Sequence, residues 1–303
     1  MTSEAGPKRC GFAALLGAPN AGKSTLLNAL VGEKISIVTP KVQTTRSRIR
    51  GIVIEGASQI VFVDTPGIFQ PKRRLERAMV AAAWAGARDA DLVVLLYDAS
   101  RKRVDEDTRR ILEGLKRQER RAVLALNKID AIRRDKLLAL AAAFEAEGLF
   151  ERIFMISALT GDGVDDLRRY LAGLLPEGPW LYPEDQLSDL PLRLLAAEVT
   201  REKLFLKLHQ ELPYALTVET ERWEDFKDGS VKIEQTIYLQ RESQKAIVLG
   251  KGGRTIKELR AAAQGELAAM LERPVHLFLF VKVREGWIDD PERYREWGLE
   301  FDQ

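Results

Sequence analysis

The sequence predicts an α/β domain, in which a mostly parallel sheet has helices on both faces, followed by a smaller α+β domain. Three observations support this fold class: strand-like and helical runs alternate, a glycine-rich loop joins the first strand to the first helix, and a second pattern of helices and strands begins near residue 190. In such a sheet, the loops at the carboxyl ends of the strands form one site. Strands are predicted at 48–54, 59–63, 91–97, 121–126 and 152–156, and helices near 74–89, 104–118, 134–147 and 163–174.

The first of these loops runs from Gly17 to Ser24 and has the spacing GxxxxGKS. It follows the apolar run 12–16, which predicts a buried strand, and it precedes a helix predicted at 24–30. The glycines allow several backbone N–H groups to point inward, Lys23 reaches the β- and γ-phosphates, and the Ser24 hydroxyl is placed to bind Mg²⁺. The loop therefore predicts a nucleotide site with contacts from Gly17, Asn20, Ala21, Gly22, Lys23, Ser24 and Thr25.

Composition limits the class of protein. A chain of 303 residues, 46% hydrophobic and 30% charged, can bury a large core and suggests about two domains. No apolar run approaches the roughly 18 residues that span a bilayer. The basic and apolar run at 8–18 imitates a secretory signal, but cleavage there would destroy the phosphate loop. One cysteine excludes an internal disulfide and two histidines leave little for histidine catalysis, and both counts favour a cytoplasmic setting.

Charge is distributed unevenly along the chain. Residues 1–175 contain 29 Lys and Arg against 21 Asp and Glu, whereas residues 176–303 contain 18 against 24. The second part is therefore acidic on average, and a nucleic-acid site in it has to rest on a local basic patch.

The later loops complete a guanine nucleotide site. Asp64, which follows the strand at 59–63, can hold Mg²⁺ through water, and the Gly67 N–H can sense a γ-phosphate. The Asp130 carboxylate can accept from N1–H and the 2-amino group of guanine, and adenine offers neither donor in that arrangement. The backbone of residues 157–159 can face the guanine O6. The base contacts are expected from Asn127, Lys128, Asp130, Ser157, Ala158 and Leu159.

These four loops, in this order and after these strands, resemble those of the translation-factor-related GTPases. The resemblance implies a P-loop GTPase domain with a switch segment between residues 34 and 50, where the run QTTRS occupies 43–47. A threonine there offers its hydroxyl to Mg²⁺ and its N–H to the γ-phosphate. Alignment with relatives that have one threonine before the arginine favours Thr45 over Thr44, and a solvated polar loop is the alternative. The expected metal contacts are Ser24, Thr45 and Asp64.

The residue that usually positions the attacking water is missing. Many GTPases have a glutamine directly after the glycine that corresponds to Gly67, but here Ile68 and Phe69 follow, and Gln70 is displaced by two positions. This resembles the branch with a hydrophobic substitution, in which Asn20 helps to hold K⁺; a role for Asn20 as a turn former is equally open. Hydrolysis is expected to be slow and to be stimulated by K⁺ over Na⁺ or by a bound partner. The expected catalytic residues are Lys23, Thr45, Gly67 and Asn20.

A second domain follows the proline-containing break at 175–185. Its pattern begins with a helix at 191–211 and a β-hairpin formed by 214–223 and 231–239. Two further helices flank the GKGG loop at 250–253, and a final strand follows. This order looks like that of type II KH modules, whose GXXG loop clamps single-stranded nucleic acid.

The GXXG loop lies in a local basic patch, because Arg241–Arg260 contains six Lys and Arg against two acids. Lys251 and Arg254 are expected to neutralise phosphates. Ile247 and Leu249 belong either to the groove that contacts the bases or to the core. The expected RNA contacts are Lys245, Gly250, Lys251, Gly252, Gly253, Arg254 and Lys257.

The order of GTPase domain, linker and type II KH domain resembles the Era-type GTPases of bacteria over nearly the whole chain. The predicted boundaries are 1–175 for the Era-type GTP-binding domain, 176–190 for the linker and 191–303 for the KH domain with its C-terminal tail. The resemblance implies binding of GTP or GDP, binding near the 3′ end of 16S rRNA, a role in small-subunit assembly and association with the inner membrane face. A monomer is expected.

The residue patterns alone lead to an RNA-binding GTPase and leave three alternatives open. One is another RNA-associated GTPase. A second is an RNA-binding scaffold whose nucleotide site is structural, which the intact Lys23, Asp64 and Asp130 disfavour. A third is a P-loop kinase or ATPase, which Asp130 disfavours.

Overall fold

The computed structural model describes residues 6–41, 44–46, 48–208 and 215–300. The described chain divides into two compact units, and neither of them is continuous in sequence. The first unit contains the described residues up to Ser36, the segment Thr45–Asp189 and the C-terminal segment from Tyr294. The second contains Ile37–Thr44 and Leu190–Arg293.

A six-stranded sheet forms the centre of the first unit, as far as the structure describes it, with the strand order β2-β3-β1-β4-β5-β6. The β2–β3 pair is antiparallel and the other neighbours are parallel. Since β1 lies near the middle, the loop that follows it is flanked by the carboxyl ends of β3 and β4. The strands are β1 Arg9–Gly17, β2 Ile49–Glu55, β3 Ser58–Asp64, β4 Leu92–Asp98, β5 Ala122–Asn127 and β6 Phe150–Met155.

Helices cover both faces of this sheet. Because side chains alternate along a strand, Leu15 packs in the core with α1 and α5, whereas its neighbour Leu16 packs in the core with α2, α3 and α4. This arrangement confirms the predicted α/β fold class. The helices are α1 Lys23–Val31, α2 Arg74–Asp89, α3 Glu106–Arg117, α4 Arg134–Glu145 and α5 Val164–Leu174.

Helices pack against a three-stranded sheet of order β7-β8-β9 in the second unit. The β7–β8 pair is an antiparallel hairpin, and β9 pairs with β8 in parallel. The predicted hairpin start, Tyr214, lies outside the described residues, as do Gln43 and Ser47 of the QTTRS run. The elements are α6 Leu192–Lys207, β7 Leu216–Asp225, β8 Val231–Leu239, α7 Glu242–Leu249, α8 Arg254–Met270 and β9 Val275–Val283. The last helix, α9 Pro291–Glu296, begins in the second unit and ends in the first, because the division falls between Arg293 and Tyr294.

The segment predicted as a linker is hydrogen-bonded to the first unit over much of its length. Gln59 donates its side-chain amide to the Tyr182 carbonyl over 2.8 Å and accepts from the Leu181 and Tyr182 N–H groups. Ser188 donates to the Arg50 carbonyl over 2.8 Å. These bonds explain why residues up to Asp189 belong to the first unit.

None of the helices in the described part of the chain combines the length and the apolar character that a membrane crossing requires.

Candidate functional site

The phosphate loop connects β1 to α1 and is shaped by Gly22. This residue has a φ of 99°, and a Cβ atom there would lie 2.2 Å from Nδ2 of Asn127, so only glycine fits. At the start of α1, Lys23 turns back over the loop and donates through Nζ to the carbonyl oxygens of Gly17 at 3.1 Å and Ala18 at 3.2 Å. The loop therefore places an ammonium group at its centre, where phosphate oxygens are expected.

Lys23 is almost completely buried, and burial lowers its pKa to about 8, although the nearby Asp64 carboxylate acts to raise it. A buried ammonium group is stabilised by anions that approach it closely. The oxygens of a bound triphosphate provide such anions, so the electrostatics of Lys23 favour a polyphosphate ligand.

Three side chains that the sequence predicts as metal contacts meet at the end of β3. Ser24 donates through Oγ to Asp64 Oδ2 over 2.7 Å, and Thr45 Oγ1 lies 2.9 Å from Ser24 Oγ and 3.3 Å from Asp64 Oδ2. Ser36 also donates to Asp64 Oδ2, over 3.1 Å. Asp64 is fully buried, and its Oδ1 has no hydrogen-bond partner among the described residues.

This donor set fits Mg²⁺. Burial raises the pKa of Asp64, while Lys23 and the three hydroxyl groups act to lower it. A buried carboxylate with one unused oxygen beside hydroxyl groups offers the hard oxygen ligands that Mg²⁺ prefers. The residues present therefore suit the ion that GTPases use.

The structure separates the two candidate threonines of the switch segment. Thr44 Oγ1 lies 2.6 Å from Thr39 Oγ1 and donates to the Lys41 carbonyl over 2.7 Å, within the second unit. Only Thr45 belongs to the hydroxyl and carboxylate cluster around Asp64. The geometry favours Thr45 as the metal contact.

Asn127 connects three loops of the nucleotide site. It donates through Nδ2 to the Ala21 carbonyl over 2.8 Å and accepts at Oδ1 from the Ala158 N–H over 2.9 Å. Asp130 lies in the single 3₁₀ turn Ile129–Ala131, and its carboxylate is exposed and has no ion pair with a described residue. The site thus presents a fixed amide and an available carboxylate, as guanine recognition requires.

The other predicted base contacts, Ser157, Ala158 and Leu159, lie in one turn after β6. Ser157 is buried, and its Oγ accepts from the Thr160 N–H over 3.2 Å, which closes the turn. Ala158 is also buried, whereas Leu159 is 79% exposed. The turn therefore leaves the Leu159 side chain open to a ligand, while Ser157 and Ala158 fix the backbone.

Asp98, at the end of β4, is a residue of this site that sequence reasoning missed. Lys128 donates through Nζ to Asp98 Oδ2 over 2.7 Å and to the Asn20 carbonyl over 2.9 Å. Burial raises the pKa of Asp98, but hydrogen bonds from Lys128 and Ser100 outweigh it and hold the pKa below its usual value. Asp98 therefore orients Lys128 across the mouth of the phosphate loop. The available signal was its position at a strand end.

After Gly67, the side chains of Ile68 and Gln70 both make contacts within the protein. Ile68 is buried in the core beneath α2, and its N–H donates to the Gly17 carbonyl over 3.1 Å. Gln70 accepts from Arg110 of α3 over 2.9 Å. Asn20 has a left-handed backbone with φ 64°, which supports the turn-forming role and leaves its side chain exposed.

In the second unit, the GXXG loop links α7 to α8 through the 3₁₀ turn Lys251–Gly253. Gly250 has a φ of 71°, and a Cβ there would lie 2.1 Å from Thr255 Oγ1. Gly252 also has positive φ, but a Cβ there would meet no atom within 4 Å. The outer face of the loop is therefore open to a backbone that approaches it.

Of the basic residues around this loop, Lys251, Arg254 and Lys257 are exposed and Lys245 is half-buried. Lys251 and Lys257 have no ion pair with a described residue, whereas Arg254 pairs with Glu258 over 3.0 Å and Lys245 with Glu242 over 3.5 Å. Ile247 is 57% exposed, while its neighbour Val248 is buried in the core. The Ile247 side chain is therefore available to a ligand.

Four hydrogen bonds connect the switch segment Ile37–Thr44 to α6 and to Leu208, the residue that follows it, within the second unit. The Val38 N–H donates to Oε1 of Glu202 over 2.8 Å. Lys41 donates to the carbonyl oxygens of Phe205 and Leu208, and Arg201 donates to the carbonyl oxygen of Thr44. Arg201 and Glu202 are both buried. Sequence reasoning missed them, because α6 contains several other charged residues and nothing in the sequence distinguishes these two.

Comparisons with known proteins agree with this geometry. The family described as 50S ribosome-binding GTPase matches residues 12–128, and the KH domain family matches residues 211–288. GTPase Era of Rhizobium meliloti is 65% identical over 295 residues, which is 97% of this chain and 94% of that protein. GTPase Era of Brucella suis is 61% identical over 99% of this chain and 96% of its own.

Two solved structures have the same fold over 96% of this chain and 99% of their own. An Aquifex aeolicus Era variant bound to GDP and aluminium fluoride has a TM-score of 0.89 at 38% identity. Era in complex with MgGDPNP and nucleotides 1506–1542 of 16S ribosomal RNA has a TM-score of 0.90 at 37% identity. With both domain families matched and full-length relatives above 60% identity, the chain belongs to the Era family of GTPases.

Proposed function

We propose that this protein is a GTP-driven switch in assembly of the small ribosomal subunit and that it binds RNA near the 3′ end of 16S rRNA. The observation that carries the proposal is the bonding of the switch segment Ile37–Thr44 to α6 of the second unit, directly before Thr45 of the nucleotide site. The RNA is proposed from the related Era protein that was solved with a fragment of 16S rRNA.

Nucleotide binding rests on residues that the fold holds in place. Lys23 contacts the β- and γ-phosphates, and Asp130 accepts from guanine while Asn127 holds the loops together. Ser24, Thr45 and Asp64 would hold Mg²⁺, which supplies positive charge to the phosphates when it is bound. The Gly67 N–H senses the γ-phosphate.

Hydrolysis is proposed to be slow. Ile68 is buried and Gln70 is bonded to Arg110, so neither side chain orients the attacking water. Asn20 would help to hold K⁺ beside the phosphates, and the ion would supply positive charge where negative charge develops in the transition state. Turnover is therefore faster in K⁺ than in Na⁺.

The switch acts through the segment between α1 and β2. In the GTP state Thr45 contacts Mg²⁺ and the γ-phosphate, and this fixes the position of the preceding residues. Those residues are hydrogen-bonded to Glu202 and Arg201 of α6. A change of nucleotide that moves the switch segment therefore changes the contacts that α6 of the KH unit makes with it. GTP and RNA then favour each other reciprocally.

RNA binding is assigned to the GXXG loop and its basic neighbours. Lys251→Ala removes one phosphate contact, so RNA affinity should fall about three- to tenfold and the salt dependence should decrease by about one counterion. Lys227→Ala, at an exposed turn between β7 and β8, is the matched control. Fluorescence anisotropy with an RNA of the 1506–1542 sequence measures both quantities. Equal affinities and salt slopes in the two variants would contradict the assignment.

A scaffold with a structural nucleotide site is the competing function. Undetectable GTP turnover at saturating K⁺ and with RNA present would favour it. A monomeric state and association with the inner membrane face are further parts of the proposal, drawn from the resemblance. Light scattering tests the first, and flotation with vesicles of anionic phospholipid tests the second.

A further inference from the structure

A groove of about 640 Å³ lies in the first unit, and none of its lining residues belongs to the nucleotide site. Four alanines of α2 line it, including Ala78 and Ala82. The lining also includes the end of α3 and residues Gly298 and Glu300 of the C-terminal segment. All of these residues belong to the same unit.

Three arginines line this groove: Arg48, Arg88 and Arg117. Among the described residues, none of their guanidinium groups has an ion pair or a hydrogen-bond acceptor, and Nε of Arg48 is buried without a partner. A buried donor without an acceptor is costly, and most such groups in folded proteins are satisfied by a ligand, water or protein atom. Glu300 is the one carboxylate among the described lining residues, so the lining is positively charged.

We propose that this groove binds a phosphate group through Arg48, Arg88 and Arg117. The planar guanidinium group offers paired N–H donors that match phosphate oxygens, and three such groups around one groove select an anion with several acceptor oxygens. The volume exceeds that of a single phosphate, so a phosphate that belongs to a larger molecule fits. Two sources share this chemistry: a free phosphorylated compound and the backbone of bound RNA.

The first arm of the test uses free phosphate. The protein is loaded with GDPNP and Mg²⁺ so that the phosphate loop is occupied, and inorganic phosphate is titrated at constant ionic strength. The readout is the NMR signal of the Arg48 Nε–H group. We expect a chemical-shift change that saturates with phosphate. The phosphate affinity obtained from it should be at least tenfold lower in Arg88→Gln/Arg117→Gln. Both replaced side chains are exposed, so the variant is expected to fold.

The control is Arg103→Gln/Arg109→Gln, which removes the same charge from exposed arginines of the same unit that do not line the groove. This variant should keep the phosphate affinity within twofold of the wild type. Loss of affinity equal to that of the groove variant would show a general charge effect and would overturn the site.

The second arm uses RNA with the 1506–1542 sequence and rests on the proposed function. If the groove takes RNA phosphates, the groove variant lowers the salt dependence of RNA binding by about one to two counterions relative to the control. If it takes free phosphate alone, the RNA binding of both variants is equal and the saturable shift remains. Absence of both effects overturns the site. If the RNA does not bind even the wild type, the result counts against the proposed function. It does not affect the phosphate site, because the phosphate titration contains no RNA.

Discussion

Asn127 ties the base loop to the phosphate loop: its amide donates to the carbonyl oxygen of Ala21 over 2.8 Å, and Gly22 leaves room for that contact. The same side chain accepts from Ala158, so three loops are held together by one buried residue. A site that is already assembled loses less conformational freedom when a ligand binds. Asp130 takes no part in this scaffold and is left to discriminate the base.

Asp130→Asn should change which base is preferred. The substitution replaces an acceptor with an amide that donates, which conflicts with N1–H and the 2-amino group of guanine but suits the carbonyl oxygen of xanthine. We expect GTP affinity to fall at least about 100-fold relative to xanthosine triphosphate. Competition against a fluorescent nucleotide measures the ratio. Retained preference for GTP would contradict the role of Asp130.

Asp98→Asn should weaken nucleotide binding and alter the acid sensitivity of the fold. Burial raises the pKa of Asp98, but hydrogen bonds from Lys128 and Ser100 hold it below its usual value, near 3.9. The charged form is favoured in the folded state. Its contribution to stability is therefore present above about pH 4 and is lost as the pH falls through the folded pKa.

Urea unfolding of the wild type and Asp98→Asn at several pH values measures this contribution. We expect the wild type to be more stable by about 1–2 kcal/mol between pH 5 and 7, since Lys128 is partly exposed, and the difference to shrink below pH 4. Asp107→Asn is the control. Burial and Asp105 raise the pKa of Asp107, so its replacement should increase the free energy of unfolding at neutral pH, whereas Asp98→Asn should decrease it. A difference for Asp98→Asn that does not vary with pH would exclude its charge as the cause.

Asn20→Gly separates the two roles of Asn20. Glycine adopts the left-handed backbone of this residue without strain, so the turn is kept and only the side chain is lost. We expect GTP affinity to stay within about threefold, while the ratio of turnover in K⁺ to that in Na⁺ falls to about one. Steady-state phosphate release in the two salts measures it. An unchanged ratio would assign Asn20 to the turn alone.

Glu202→Ala should uncouple the nucleotide from RNA. The variant removes the acceptor for the Val38 N–H, so the switch segment loses a bond to α6 while the nucleotide contacts remain. The advantage of the GTP state in RNA affinity should fall to less than about twofold, with GTP affinity nearly unchanged. Leu206→Ala, an exposed position on the same helix, should behave as the wild type. Anisotropy titrations with RNA in both nucleotide states measure the ratio of the two affinities. A ratio equal to that of the wild type would exclude Glu202 from the coupling.

The positions of the proposed nucleotide loops in the fold can be predicted from the sequence because each is a short motif at the end of a strand. Gly17–Ser24, Asp64 and Asp130 follow β1, β3 and β5, and their roles depend on local spacing that a parallel sheet brings together. The GXXG loop is predictable for the same reason. Glycine geometry and flanking helices are local properties of the chain.

The missed residues act through contacts between distant parts of the sequence. Asp98 carries no motif, and its role appears only when β4 and β5 are paired and Lys128 reaches it. Glu202 is 164 positions from Val38, and no local pattern reports such a contact. Only the structure shows that Arg201 and Glu202 are the buried charges of α6, and buried charges are usually paired.

RNA affinity in the two nucleotide states tests the central claim most directly. The dissociation constant for RNA of the 1506–1542 sequence is measured with the protein saturated by GDPNP and Mg²⁺ and again with GDP and Mg²⁺, at one salt concentration. If the protein is a GTP-driven switch, it should bind the RNA at least about fivefold more tightly in the GDPNP state than in the GDP state. Equal dissociation constants in the two states would contradict it.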